Sequence, residues 1–169
     1  MIVEQNENKI EVQRILNMIL VESQLYGFSY TKDFYSLYFG LMPNRIFREY
    51  KFPTEIALTI ASKWLIGNAQ EWNTKVERMR KNDLLEPVEP VIAYELTSLL
   101  WCKKYGGSIE KVLCNNDSIK INLKGNREFT ILNQPEFEMS WAFHESGKTW
   151  YTSKWFLGWS NKYSFHLPI

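Results

Sequence analysis

Residues 117–132 read Asp117-Ser-Ile-Lys-Ile-Asn-Leu-Lys-Gly-Asn-Arg-Glu-Phe-Thr-Ile-Leu132. Apolar residues at 119, 121 and 123 alternate with polar residues at 120, 122 and 124, which is the pattern of a strand with one buried face. A turn at 124–127, containing Gly125 and Asn126, separates this strand from a second alternation at Phe129 and Ile131. The stretch therefore predicts an antiparallel β-hairpin.

An apolar helical pattern precedes this hairpin. It starts after Pro90, a residue favoured at the first position of a helix, and it stops at Gly106-Gly107. A comparable helix is predicted near the start of the sequence, where i, i+3 and i+4 spacing is kept by Val12, Ile15, Leu16, Ile19 and Leu20. Each helix is followed by alternating strand patterns.

An ungapped offset of 84 residues aligns these two parts of the chain, since it places Leu25 on Ile109 and Asp33 on Asp117. The order of helix and strand periods matches more closely than the residue identities do. We expect an α+β fold of two pseudo-repeated halves, each a helix followed by antiparallel strands, packed as one compact body. A chance alignment of alternating strands is the alternative explanation.

The predicted boundaries follow from this alignment. We expect residues 1–169 to form a single domain, with a first repeat over about 8–67, a linker over about 68–89 that includes a short helix, and a second repeat over about 90–169. In each half the return strand leads to a Trp-centred strand, at Trp64 and at Trp141. The aromatic-rich tail predicts a last hairpin through Trp150 and Tyr163, with its turn at 158–161.

Composition excludes several classes of protein. The chain has 169 residues, 45% of them hydrophobic, and a formal net charge of +1. This balance is not that of a disordered chain, and it provides no bulk charge to attract nucleic acid or a membrane surface. We see no secretory signal and no apolar stretch long enough to span a membrane, so we expect a cytoplasmic protein. Cys102 and Cys114 could pair on count alone, but in that compartment we expect free, buried thiols.

The search for chemistry identifies no catalytic motif, cofactor loop or cluster of metal ligands. His144 and His166 are the only histidines. His144 precedes Glu145 on a predicted strand, and adjacent strand residues point to opposite faces, so we interpret His144 as structural or exposed. We expect no cofactor, metal or catalytic site. The alternative is a small enzyme or ligand-binding protein with a cleft between the two halves.

The second half resembles known sequences. The residues concerned are Gly106-Gly107-Ser108-Ile109, Ile119-Lys-Ile-Asn-Leu123, Gly125-Asn126, Phe129-Thr130-Ile131 and Ser140-Trp141. They are similar to small bacterial domains of unknown function that share the pattern G-x-x-I … L-x-L-x-F-x-(N/D)-G … L-x-I … W. The resemblance implies hairpin and core positions and no catalytic residue. Domains of this size and style are also found among immunity proteins, which neutralise a toxin; this is an analogy of character.

Two features suggest a surface for a protein partner. Residues 82–101 hold acids without any Lys or Arg, and Asp83, Glu86 and Glu89 could face a basic partner, although carboxylates at a helix start are also favoured by the helix dipole. Trp155 and Trp159 could form an exposed apolar anchor, although core packing also explains tail aromatics. We expect a non-catalytic protein-binding module, most concretely a bacterial immunity protein that binds a basic toxin domain, with no membrane partner. A nucleic-acid binder that uses the aromatic tail is a less favoured alternative.

Overall fold

The structure, a computed structural model, describes residues 2–81, 90–104 and 107–168. The described helices are α1 (Ile2–Leu20), α2 (Ala69–Lys81) and α3 (Pro90–Lys104). The described strands are β1 (Gln24–Tyr30), β2 (Tyr35–Gly40), β3 (Ile46–Phe47), β4 (Tyr50–Lys51), β5 (Glu55–Ile60), β6 (Trp64–Ile66), β7 (Ile109–Cys114), β8 (Ser118–Leu123), β9 (Arg127–Leu132), β10 (Trp141–Glu145), β11 (Phe156–Trp159) and β12 (Tyr163–His166). The chain is therefore an α+β protein, as predicted.

Helix α1 buries the predicted apolar stripe. Val12, Ile15, Leu16, Ile19 and Leu20 have no exposed surface. The helix packs against β7, β11 and β12. The spacing of these residues places them on one side of the helix, so that the opposite side can carry exposed residues such as Arg14. The prediction of this helix is confirmed.

All strand pairs in the described chain are antiparallel, and most of them lie in two larger sheets. The six-stranded sheet has the order β1-β2-β5-β10-β11-β12, and the four-stranded sheet has the order β6-β9-β8-β7. β8 and β9 form the hairpin predicted over 117–132, with Ile119 opposite Ile131. β3 and β4 form a separate two-stranded hairpin in the connection between β2 and β5.

The chain crosses from one sheet to the other between β5 and β6. β5 pairs with β10, whereas β6 pairs with β9. At the crossing, the amides of Ala61 and Ser62 both donate to the carbonyl oxygen of Ser140, at 3.0 and 3.1 Å. The segment that precedes β10 therefore holds the crossing in place.

The predicted tail hairpin needs correction. Its strands are β11 and β12, with the turn at 160–162, and Trp150 lies in the turns that precede β11. The hairpin extends the sheet that holds β1, β2 and β5, because β11 pairs with β10. The alternation at 150 and 152 does not form a strand; backbone and hydroxyl hydrogen bonds between Thr149 and Thr152 form a local turn there instead.

The buried apolar residues of the described chain form one continuous hydrophobic core. A single cluster of buried residues includes α1, both large sheets and the tail, with Trp141, Phe143 and Trp155 fully buried. Cys102 and Cys114 are free and buried, as expected, and burial raises the pKa of Cys114 to about 12. Both thiols therefore behave as small apolar side chains.

Candidate functional site

Two adjoining cavities open where the turn between β1 and β2 meets the crossing between β5 and β6. The larger cavity has a volume of about 480 Å³ and the smaller one about 340 Å³. They share Phe34, Ala61 and Phe137 in their walls. We call them together the paired cavities.

The larger cavity contains a fixed aromatic wall. The ring of Tyr35 lies 4.7 Å from that of Tyr30 and meets the ring of Trp64 edge-on at 5.2 Å. The hydroxyl of Tyr35 donates a hydrogen bond to the carboxylate of Glu95 on α3. Burial, followed by this contact with Glu95, raises the pKa of Tyr35, so that its hydroxyl stays protonated and remains a donor.

Two buried polar atoms belong to residues that line the larger cavity. Ser62 is 6% exposed and Trp64 is 3% exposed. Ser62 Oγ and Trp64 Nε1 have no hydrogen-bond partner within the described part of the chain. Buried polar groups are normally paired, so these two unpaired atoms are unusual features of residues in the wall of the larger cavity.

The smaller cavity is lined by both apolar and polar side chains. Ser36 and Thr59, from neighbouring strands β2 and β5, line it together with Met139 and the segment 148–151. The ring of Trp150 is held edge-on by those of Phe156, at 5.9 Å, and Tyr151, at 5.5 Å. These aromatic contacts fix the position of the Trp150 ring in the wall of the smaller cavity.

His144 lies next to the smaller cavity, beside Thr59. It is only 2% exposed, and its Nδ1 lies 2.9 Å from the backbone carbonyl oxygen of Glu145. Because a carbonyl only accepts, Nδ1 carries the proton, and Nε2 accepts from the Thr59 hydroxyl at 2.7 Å. Burial lowers the pKa of His144, so the ring is held neutral. This arrangement agrees with the structural role expected for His144 and excludes an exposed one.

Exposed aromatic residues surround the paired cavities. Tyr30 and Phe34 are each 37% exposed, and Tyr151 is 70% exposed. We call these three residues the aromatic rim. Exposed charges of both signs lie beside them, at Lys32, Asp33, Lys63 and Glu136. The paired cavities therefore open among exposed aromatic rings, with charges of both signs beside them.

The residues predicted as partner-binding lie elsewhere or outside the described chain. Asp83, Glu86 and Glu89 fall outside the described residues. Trp155 is fully buried and meets Phe52 edge-on at 5.0 Å, and Trp159 is 8% exposed. Trp159 pairs with Trp141 on the core side of the sheet, so the exposure that we expected for these two indoles is not found.

The aromatic rim was missed because its members are far apart in the sequence. Tyr30 and Phe34 flank one turn, whereas Tyr151 lies in another more than a hundred residues later. The available signal was an aromatic residue within a polar turn, as in Thr31-Lys-Asp-Phe34, where no buried face requires it.

The described part of the chain offers neither a cluster of metal ligands nor a helix that could span a membrane. Residues 2–81, 90–104 and 107–168 contain no group of three or more His, Cys, Asp or Glu placed to hold a metal ion. Within the same ranges no helix has the length and apolar character needed to cross a bilayer.

The fold and the site define an α+β protein with two adjoining cavities and an aromatic rim. Comparison with protein-family models, with curated proteins and with solved structures finds no match to this chain.

Proposed function

We propose that the chain is a non-catalytic protein-binding module that docks its partner on the aromatic rim. The observation that carries this proposal is the position of three exposed aromatic side chains, Tyr30, Phe34 and Tyr151, around the paired cavities. Aromatic residues dominate binding energy at protein interfaces, and preformed cavities accept the protruding side chains of a partner.

The most concrete form of this function is a bacterial immunity protein that neutralises a toxin in the cytoplasm. This form is supported by the analogy to immunity proteins in size and character. It is also supported by residues 82–101, the acidic segment, which contain acids but no Lys or Arg. Glu95 belongs to that segment and lines the larger cavity, so a basic toxin domain bound at the rim would meet a carboxylate there. On this proposal Asp83, Glu86 and Glu89 also bind basic groups of the toxin.

The test is capture of a partner by the tagged full chain from its native cell, washed at moderate salt and identified by mass spectrometry. We expect one stoichiometric basic protein. Phe34→Ala and Tyr151→Ala should each weaken its binding about tenfold or more. Ile10→Ala is the matched control, because Ile10 is an exposed apolar residue, 65% accessible, on α1. Capture that is unchanged by the rim variants, or a chain that captures nothing, would contradict docking at the rim.

The acidic segment is tested with the captured partner. Reversing the charges of Asp83, Glu86 and Glu89 together should weaken binding at low salt more than at high salt, because exposed ion pairs are screened. Unchanged affinity at low salt would remove these residues from the interface.

A second candidate function is a ligand-binding protein or small enzyme with a cleft between the two halves. The larger cavity favours it, because its walls come from 30–35 and 60–64 of the first half and from 95 and 134–137 of the second. Tyr35, Ser62 and Trp64 are among the residues that line this cavity. A small molecule that raises the melting temperature of the chain, and does so less in Tyr35→Phe, would favour this function over protein binding.

We also propose that the two halves are structural copies of one helix-and-strand unit. The strand orders support this proposal, because β1-β2-β5 is followed by β10 in one sheet, and β7-β8-β9 is followed by β6 in the other. Each half would then contribute its fourth strand to the three-stranded meander of the other half.

A further inference from the structure

The floor of the smaller cavity lies on the outer face of the six-stranded sheet. Ser36 on β2 and Thr59 on β5 are directly paired, and both line the cavity. Their neighbours along the chain, Leu37 and Leu58, are buried in the core, so Ser36 and Thr59 lie on the opposite face of the sheet. Short side chains at these two positions leave room for the cavity beneath the segment 148–151, which also lines it.

The hydroxyl hydrogen of Thr59 is already committed to His144. The backbone carbonyl of Glu145 only accepts, so His144 carries its proton on Nδ1, and its Nε2 accepts from the Thr59 hydroxyl at 2.7 Å. A hydroxyl group has one hydrogen and two lone pairs. The Thr59 oxygen can therefore accept a hydrogen bond from a ligand, but it has no hydrogen left to donate to one.

The described wall of the smaller cavity has no net charge. Its charged residues are Glu138 and Lys148, which have opposite signs, and Lys148 Nζ already donates to the carboxylate of Glu145 at 3.0 Å. Four aromatic residues also line the cavity: Phe34, Phe137, Trp150 and Tyr151. Aromatic walls with a few polar groups are typical of sites for neutral, ring-shaped ligands.

The volume of the smaller cavity indicates the size of the group that fits. A closed apolar cavity of about 150 Å³ binds benzene. The smaller cavity has a volume of about 340 Å³, which is enough for two fused rings. This volume is also within the range of small-molecule sites in proteins.

We propose that the smaller cavity binds a neutral aromatic group of two fused rings that carries a hydrogen-bond donor, as indole does, and that the Thr59 oxygen accepts from this donor. The tryptophan side chain of a partner protein and a free indole compound share this chemistry. Binding of free indole can be measured without any partner. Failure of this proposal is therefore distinguishable from failure of docking at the aromatic rim.

The test compares indole with indene, which has the same two-ring shape and a CH₂ group in place of the N–H. Ligand-observed NMR over about 0.05–2 mM ligand measures both affinities. Thr59→Val should weaken indole binding about fivefold and leave indene binding unchanged, because only indole loses an acceptor. Thr59→Ser keeps the hydroxyl and should retain the affinity for indole. Equal effects of Thr59→Val on the two compounds would overturn the proposal, as would a wild-type chain that does not bind indole.

A second pair of variants locates the bound ring. Ser36→Leu fills the cavity from its floor and should abolish indole binding. Ser29→Leu is the matched control, because Ser29 is paired with Ser36 on the same face and is outside the described walls of both paired cavities. Indole that still binds to Ser36→Leu as it does to the wild type would overturn the proposal.

Competition distinguishes the two sources of the ring. Indole that displaces the captured partner would support the site and identify a side chain of that partner as its occupant. Indole that binds at this cavity while the partner is retained would support the site with a free compound as its occupant.

Discussion

His144 has both ring nitrogens occupied by groups that suit a neutral ring. Burial lowers its pKa below the ordinary 6.5, so the unfolded chain binds a proton there at a pH at which the folded chain does not. The stability contributed by the neutral ring is complete above pH 6.5 and is lost as the pH falls from 6.5 towards the lowered pKa, by up to about 1.4 kcal/mol per pH unit.

We therefore predict that His144→Gln makes the free energy of unfolding less dependent on pH. Urea unfolding between about pH 7.5 and pH 5 measures this slope. His166→Gln, which replaces the other histidine at an exposed position, is the control for the glutamine substitution itself. An unchanged slope in His144→Gln would show that His144 is not the group responsible for acid sensitivity.

Gly158 on β11 has no room for a side chain. A Cβ atom there would lie 2.6 Å from the carbonyl oxygen of Trp141 and 3.1 Å from the sulfur of Met139, which lines the smaller cavity. Gly158→Ala should lower the free energy of unfolding by about 1–3 kcal/mol, because the overpacked strand must shift. Gly40→Ala in the same sheet meets its nearest atom at 3.8 Å and should change stability by less than about 0.5 kcal/mol. Equal effects in chemical denaturation would contradict the crowding at Gly158.

At the scale of elements, α1 serves as a cover for β7 as well as a core helix. Asn17 donates to the carbonyl of Val112 at 2.7 Å and accepts from its amide at 2.9 Å. Asn17→Ala should lower the free energy of unfolding by about 2 kcal/mol, because both backbone groups of Val112 lose their partner. Asn8→Ala removes the same side chain from another half-buried position of α1 and should have a smaller effect. Hydrogen exchange should accelerate at the Val112 amide only in Asn17→Ala; protection that is retained would contradict the cover.

Elements with local periodicity were predictable from sequence, and contacts between distant elements were not. The apolar stripe of α1 and the alternation of β8 and β9 each lie within a few residues, so their patterns predict the helix and the hairpin directly. The burial of Trp155 depends on Phe52, about a hundred residues earlier, and the larger cavity depends on Glu95 meeting Tyr35. The aromatic composition of the tail does not show whether an indole is exposed or buried, because it is the same in both cases.

At the scale of the whole molecule, the two large sheets depend on each other for completion. β6 belongs to the first part of the chain and pairs with β9, while β10 belongs to the second part and pairs with β5. Trp64 on β6 stacks on Phe129 of β9 at 4.9 Å between ring centres. Neither part alone would complete its own sheet or cover the apolar face of that sheet.

Each part of the chain thus contributes one strand, β6 or β10, to the sheet of the other part. This exchange of strands predicts what happens when the chain is divided into fragments 1–89 and 90–169. Each fragment alone should lack a cooperative unfolding transition, because its fourth strand has no partner and its core residues are exposed to water. Mixed in equal amounts, the two should form a one-to-one complex with the circular dichroism and the cooperative melting of the whole chain. Trp64→Ala in the first fragment should weaken that complex, because it removes the stacking on Phe129, whereas Met42→Ala, at an exposed position, should not. A fragment that unfolds cooperatively by itself would show that its half is an independent folding unit and that the exchanged strands contribute little to its stability.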